Sequence, residues 1–183
     1  MNGLVIVEGL PGSGKSTTAH GIAAWLASQQ VDVEHWPEGR VDHPVDFEQV
    51  AALDPGPLEK LAAELALVSA DSARALLGGA EQLGDRLVVR QPVHAALPAD
   101  VVDQLRAYDA YDGDVTAEVH AQVLKESWRR FGSNPPGATG APVQVWECVL
   151  LQHPVCALVA RADLPVEALT AHVVGLVDAV RAV

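Results

Sequence analysis

The stretch Leu4-Val5-Ile6-Val7-Glu8-Gly9-Leu10-Pro11-Gly12-Ser13-Gly14-Lys15-Ser16-Thr17 sets the architecture of this chain. Leu4 to Val7 is a short, continuous, mostly β-branched apolar run, as expected of a strand buried on both faces in a parallel sheet. From Ser16 to Gln29, apolar residues recur at Ala19, Ile22, Ala23, Leu26 and Ala27, a helical stripe. Between strand and helix, Gly9 to Ser16 fits G-x-x-x-x-G-K-[ST] at every fixed position. The chemistry of that spacing is anion binding. Gly9, Gly12 and Gly14 are expected to take positive φ and let the backbone approach phosphate oxygens. Successive N–H groups then form a nest, with Pro11 and Ser13 at its variable positions, and the helix N-terminus adds its dipole. Lys15 is expected to reach the β- and γ-phosphates, and the Ser16 hydroxyl to coordinate Mg²⁺. Thr17 either touches the α-phosphate or packs.

Outward from this loop, Val31 to Trp36 alternates polar and apolar residues and reads as a second strand, giving a right-handed βαβ unit. Glu38 to Pro57 reads as a loop, with a short helical turn around Phe47 to Leu53. Leu58 to Leu77 reads as one helix, ended by Gly78-Gly79. Leu87 to Arg90 is a short strand or an extended segment. Ala99 to Tyr108 and Thr116 to Phe131 read as helices, and Gly132 to Pro142 as a turn-rich loop. Val143 to Val149 is the third strand, and Leu164 to Val180 the last helix, with Pro165 at its start. The expected fold is α/β: a three-layer P-loop sandwich with a mainly parallel sheet of order 2-3-1, further strands being reduced or missing. Residues 1–183 form a single domain on this reading, and 38–142 a mainly helical insertion where an acceptor lobe would stand.

Asp and Glu number 24 against 12 Lys and Arg, a formal charge of −12 that repels phosphate backbones and anionic lipid. Neither nucleic acid nor membrane is therefore an expected partner. No apolar run approaches the ~20 residues needed to span a bilayer, and the N-terminal residues lack a signal-peptide pattern. A cytoplasmic location is the expectation. Cys148 and Cys156 have neither zinc nor disulfide spacing and read as buried small hydrophobes. The histidines show no metal spacing and read as surface or supporting residues, and the four tryptophans as core anchors.

The chain has no Asn-Lys-x-Asp base-reading motif and no apolar-Asp-Asp/Glu run, which disfavours GTPases and ring ATPases. The loop Gly9 to Thr17, with Val7-Glu8-Gly9 leading in, resembles that of small nucleoside and nucleotide kinases. With Glu38 to Asp46, Trp128-Arg129-Arg130-Phe131 and Val145 to Pro154, it is similar over essentially the whole chain to a family of uncharacterised bacterial P-loop kinase-like NTPases. The resemblance implies binding of ATP or another NTP with Mg²⁺. It also implies transfer of the γ-phosphoryl group to a small acceptor such as a nucleoside or nucleotide. The alternative is a nucleotide-binding module or slow NTPase that acts through a protein partner. Lys15 and Glu147 are the candidate catalytic residues, and Ser16 and Glu147 the candidate metal ligands. Glu147 ends the third strand, where ligands gather in parallel sheets. Glu8 either faces the same crevice or stabilises backbone N–H groups. Asp42, His43 and Arg40, after strand two, are the candidate acceptor-binding residues.

One departure from the family bears on activity. Its members continue through a fourth and fifth strand with an Arg-bearing lid, whereas here only Arg161 and Arg181 follow Glu147. The lid is thus expected to be missing or replaced. The apolar outer edge of strand one is expected to be covered, either by a partner chain, self-association being the simpler option, or by a rearranged segment such as Leu87 to Arg90.

Overall fold

Strand β1 (Leu4–Val7) leads through the glycine loop into helix α1 (Lys15–Ser28), which returns to β2 (Val33–Trp36). In this computed structural model, which describes residues 3–133 and 141–181, β6 (Val143–Glu147) lies between these two strands and pairs in parallel with both. The order β1-β6-β2 is the 2-3-1 order expected for the three strands. The chain is mixed α/β with a small parallel sheet.

The pleat sorts side chains to two faces. Val5, Val7, Val33 and Val145 pack with Ala19, Ile22, Ala23 and Leu26 of α1. On the other face Trp146 makes edge contacts with His43, Trp128 and Phe131, at ring-centroid distances of 5.0, 5.6 and 4.6 Å. Both faces of the central strand are thereby covered, and all five residues of β6 are buried. Trp128 and Trp146 are core anchors, as expected, but Trp25 is 62% exposed on α1.

Two compact units divide the chain, Met1–Asp46 with Ser127–Val183, and Phe47–Glu126. The second starts nine residues later than the insertion read from the sequence, and most of its ordered residues are helical. It holds its own antiparallel sheet, order β3-β5-β4, from β3 (Ala51–Leu53), β4 (Ala80–Leu83) and β5 (Arg86–Val89). The expected helical turn over Phe47 to Leu53 is instead strand β3, whose three residues are all buried. The expected helix over Leu58 to Leu77 is two, α2 (Pro55–Ala66) and α3 (Ala70–Gly79). Ser69 divides them: its hydroxyl accepts the Ser72 N–H, with Asp71 in the first turn, and so starts a fresh helix. Leu58, Leu61, Leu65, Leu76, Val89, Val101 and Leu105 form this unit's core, with α5 (Ala99–Arg106) closing it after the short α4 (Gln91–His94).

Helix α6 is Ala117–Ser133; the turn-rich loop expected after it lies mostly outside the described residues. After β6 come α7 (Gln152–Pro154), a π-helix (Val155–Arg161) and α8 (Val166–Val180), with Pro165 as the N-cap. Strand β1 is at the edge of its sheet, and Leu87 to Val89 pair with β3 and β4 rather than with β1. The suggested rearranged cover for that edge is therefore in the other sheet. Among the described residues no helix is long and apolar enough to cross a membrane.

Candidate functional site

The loop from Glu8 to Gly14 turns at glycine. Gly12 and Gly14 have φ of 77° and 89°, a region that strains any residue with a Cβ. Gly9 serves differently from the expectation: its φ is not positive, but a Cβ there would sit 2.7 Å from Ser13 Oγ and 3.2 Å from Lys15 Cγ. Gly9 is thus the residue that lets the loop fold back on itself. The Ser13 N–H closes a turn on the Leu10 carbonyl at 3.1 Å. Among the described residues no acceptor takes the N–H groups of Gly12, Gly14, Lys15, Ser16 or Thr17; the first helical bond runs from Thr18 N to Gly14 O. A row of free N–H donors at a helix N-terminus is an anion-binding surface.

Lys15 is buried, and its Nζ donates to the Leu10 carbonyl at 3.3 Å, so its charge is held across the loop. Ser16 is one residue on, in the first turn of α1, and its Oγ donates to Glu147 Oε2 at 2.7 Å. The pairing register explains this meeting. Glu147 is opposite Val7, at the C-terminal end of β6 and directly before the loop. It shares the α1-facing side with Val145. His35 is opposite Val145 on β2, also on that side, and its Nε2 is 2.7 Å from Glu147 Oε1. Glu147 is therefore buried with both oxygens engaged, one by Ser16 and one by His35. Glu147 and Ser16 were expected together; His35 was read only as a surface or supporting residue, and the carboxylate it supports was not named. The signal was available in the alternation of β2, which puts every second residue on the side of α1.

Glu8 takes the backbone-stabilising role, but of a different segment. Its Oε1 accepts the N–H groups of Leu150 and Leu151 at 2.7 and 3.1 Å, and Oε2 that of Gln152 at 3.1 Å. This clamp ties the end of β1 to the turn after β6. Within that turn Cys148 has φ of 65° and is fully buried, its thiol donating to Glu38 Oε2 at 3.2 Å. Burial, then the Glu38 carboxylate, pushes the Cys148 thiol up to about 12. Cys156, expected to be buried, is exposed on the π-helix.

A cleft of about 430 Å³ is lined by Pro11, Gly12, Gly14, Lys15, Ser16, Thr17, Glu38 and Gln152. Thr17 is thus exposed at the cleft rather than packed. Glu38 and Gln152 were not foreseen; their side chains meet, Gln152 Nε2 donating to Glu38 Oε1 at 2.7 Å.

The residues proposed for an acceptor fare differently. Arg40 and Asp42 form a two-point pair, Nε to Oδ1 at 2.6 Å and an Nη to Oδ2 at 3.0 Å. Arg40 also stacks 3.6 Å above the Trp36 ring. The Arg40 hydrogen bond holds the Asp42 carboxyl below its usual range and raises Arg40 in turn. His43 is 1% exposed, its Nδ1 accepting the N–H groups of Val45 and Asp46 and its ring packed on Trp36 and Trp146. None of the three lines the cleft. For His43 the physical reason is burial: it organises a turn beneath Trp146.

Among the described residues no group of three or more His, Cys, Asp or Glu side chains is arranged to hold a metal ion. One hydroxyl and one carboxylate 2.7 Å apart suit a cation that keeps most of its waters and takes phosphate oxygens as further ligands, as Mg²⁺ does. They do not suit zinc, which needs three or four protein ligands. Comparison of the chain with protein-family models, with curated proteins and with solved structures finds no match.

Proposed function

We propose that this chain has a P-loop NTPase fold, binds Mg²⁺ with ATP or another NTP at Gly9 to Thr17, and transfers the γ-phosphoryl group to a small-molecule acceptor. The observation that carries the reading is the Ser16–Glu147 hydrogen bond beside the unpaired N–H groups of Gly12 and of Gly14 to Thr17. The N–H groups hold phosphate oxygens. Lys15 adds a positive charge at the same loop. Ser16 and Glu147 are the residues that would hold Mg²⁺, directly or through a water, and His35 fixes the carboxylate that does so. When bound, Mg²⁺ neutralises charge on the phosphates. Little covalent chemistry falls to the protein: positioning and charge neutralisation set the rate.

A second reading, slow NTP hydrolysis coupled to a protein partner, is favoured by one observation. Arg40, Arg74, Arg86, Arg90, Arg106 and Arg181 are each paired with a carboxylate, and Arg129, Arg130 and Arg161 are engaged as well. The charge that a lid arginine supplies in small kinases has no ready source here. Incubation with Mg²⁺–ATP and a panel of hydroxyl-bearing acceptors, read by mass spectrometry, separates the two. A product 80 Da heavier than an acceptor supports the kinase; ADP and inorganic phosphate alone support the NTPase; no nucleotide binding by calorimetry overturns both.

A further inference from the structure

We infer that the acceptor side of the cleft selects a neutral or cationic molecule rich in hydroxyl or amino donors, and rejects a phosphorylated one; this rests on the phosphotransfer reading above. Beyond the loop, the cleft is lined by Glu38 and Gln152. Glu38 is exposed; each of its oxygens accepts one hydrogen bond, from Gln152 Nε2 and from the Cys148 thiol, and each keeps a lone pair. Gln152 is anchored through its backbone N–H on Glu8. Its Nε2 is committed to Glu38, which fixes the amide orientation, and its buried Oε1 has no partner among the described residues. Glu38 therefore offers the cleft free acceptor lone pairs and a negative charge, with Gln152 holding it in place. It calls for a ligand that brings donors.

A phosphate monoester would bring about two negative charges to this surface and would need guanidinium groups to receive them. Among the residues lining the cleft Lys15 is the one cation, and it belongs to the nucleotide loop. Arg40, nearest in sequence to Glu38, is held by Asp42 and Glu34. An ammonium or a hydroxyl meets the opposite situation, since a carboxylate acceptor strengthens its hydrogen bond. In the transfer, the acceptor hydroxyl oxygen forms the new bond to the γ-phosphorus. The bond from that phosphorus to the β–γ bridging oxygen breaks, and its electron pair leaves with the nucleoside diphosphate. The hydroxyl proton passes to solvent.

The test is a charge series on one scaffold. Glucosamine, glucose and glucose 6-phosphate are titrated into the full chain with Mg²⁺ and a non-hydrolysable ATP analogue. The Gln152 side-chain amide is followed by NMR, and the Gly12 and Gly14 amides report the analogue. Glucosamine is expected to shift the Gln152 signal at the lowest concentration, glucose at a higher one, and glucose 6-phosphate not at all. Glu38→Gln is expected to weaken the glucosamine response tenfold or more while the Gly12 and Gly14 shifts persist. Glucose 6-phosphate acting as strongly as glucosamine, or none of the three shifting Gln152 with the analogue bound, overturns the inference alone. Gly12 and Gly14 amides that ignore the analogue overturn the nucleotide reading and the inference with it.

Discussion

Ser16 Oγ donates a 2.7 Å hydrogen bond to Glu147 Oε2 across 131 residues of sequence, joining the first turn of α1 to the end of the central strand. The other carboxylate oxygen is held by His35 at 2.7 Å. A buried carboxylate fixed at both oxygens cannot swing away, so its direction toward the loop is set before any ligand arrives. Glu147→Gln preserves shape but removes the charge. It is expected to lower Mg²⁺-dependent turnover about a hundredfold while circular dichroism stays native. His35→Ala leaves Glu147 Oε1 unpaired, at a cost of about 1–3 kcal/mol. It is expected to raise the Mg²⁺ concentration needed for half-maximal nucleotide binding, and His35→Gln, which keeps a donor, to restore it. Equal Mg²⁺ dependence in wild type and His35→Ala would show that His35 only packs.

Lys15→Ala removes the single cation of the cleft, and Lys15 is no member of the apolar clusters around Leu58 and around Ala19. Loss of one charge-assisted contact to phosphate corresponds to about 1.5–3 kcal/mol, or ten- to more than a hundredfold in affinity. Calorimetry should show weakened or absent ATP binding at an unchanged melting temperature. A folded variant with wild-type ATP affinity would sink the assignment of the loop.

The loop, α1 and the three parallel strands were legible because their signals are local: a fixed glycine spacing, an apolar stripe, β-branched runs. The antiparallel sheet was legible only in part: Gly84-Asp85, between β4 and β5, is a local hairpin signal that was passed over, whereas β3 pairs with β5 across α2 and α3, an interval that no local pattern encodes. Ala51-Ala52-Leu53 has no strong strand propensity; it is a strand because β5 supplies its partners. Glu147 was found from its place at a strand end. His35 was read only with the other histidines, as a surface or supporting residue, because histidine spacing says nothing of which carboxylate a supporting ring will meet. Arg40, Asp42 and His43 do not line the cleft because a polar cluster in sequence can satisfy itself: Arg40 closes on Asp42, and His43 turns inward.

Asp109 gives a pH signature in the second unit. It is 6% exposed, and burial pushes its carboxyl up to about 6 although its Oδ1 accepts the N–H groups of Tyr111 and Asp112; the Asp112 and Glu48 charges add to the rise. The folded pKa lies above the unfolded one, so between about pH 4 and 6 the folded state binds the extra proton and stability falls as pH rises. Asp109→Asn keeps the Oδ1 acceptor and removes the charge. It is expected to match wild type below pH 4 and to exceed it by on the order of 2–3 kcal/mol above pH 7. Urea melts at pH 4 and 7.5 measure this; a constant difference between the two proteins would refute the burial of the charge.

The two cysteines should separate in reactivity. Cys156 is exposed, whereas Cys148 is buried, bonded to Glu38 and held protonated far above neutrality. Thiolate is the reactive form, so alkylation of the native protein at pH 8 should label Cys156 alone. Urea should admit a second label. Rapid native labelling of Cys148 would mean that the turn after β6 opens readily.

Gly132 in α6 and Gly175 in α8 should respond to alanine with opposite signs. A Cβ on Gly132 would run into the carbonyl group of Ala179, so α6 passes directly against the backbone of α8. No rotamer relieves a backbone clash; one helix must move, which repacks Trp128 and Phe131 on Trp146. Alanine in a helix gains about 1 kcal/mol over glycine, but overpacking of this kind costs about 1–3 kcal/mol, and against backbone the upper end applies. Gly132→Ala should therefore lower the melting temperature by several degrees. A Cβ on Gly175 meets nothing within 4 Å, so Gly175→Ala collects the propensity gain alone and should raise it. The pair controls for helix propensity, because both positions are helical and the difference between them is the neighbouring backbone. A Gly132→Ala protein as stable as the Gly175→Ala one would show that α6 and α8 do not make this close approach in solution.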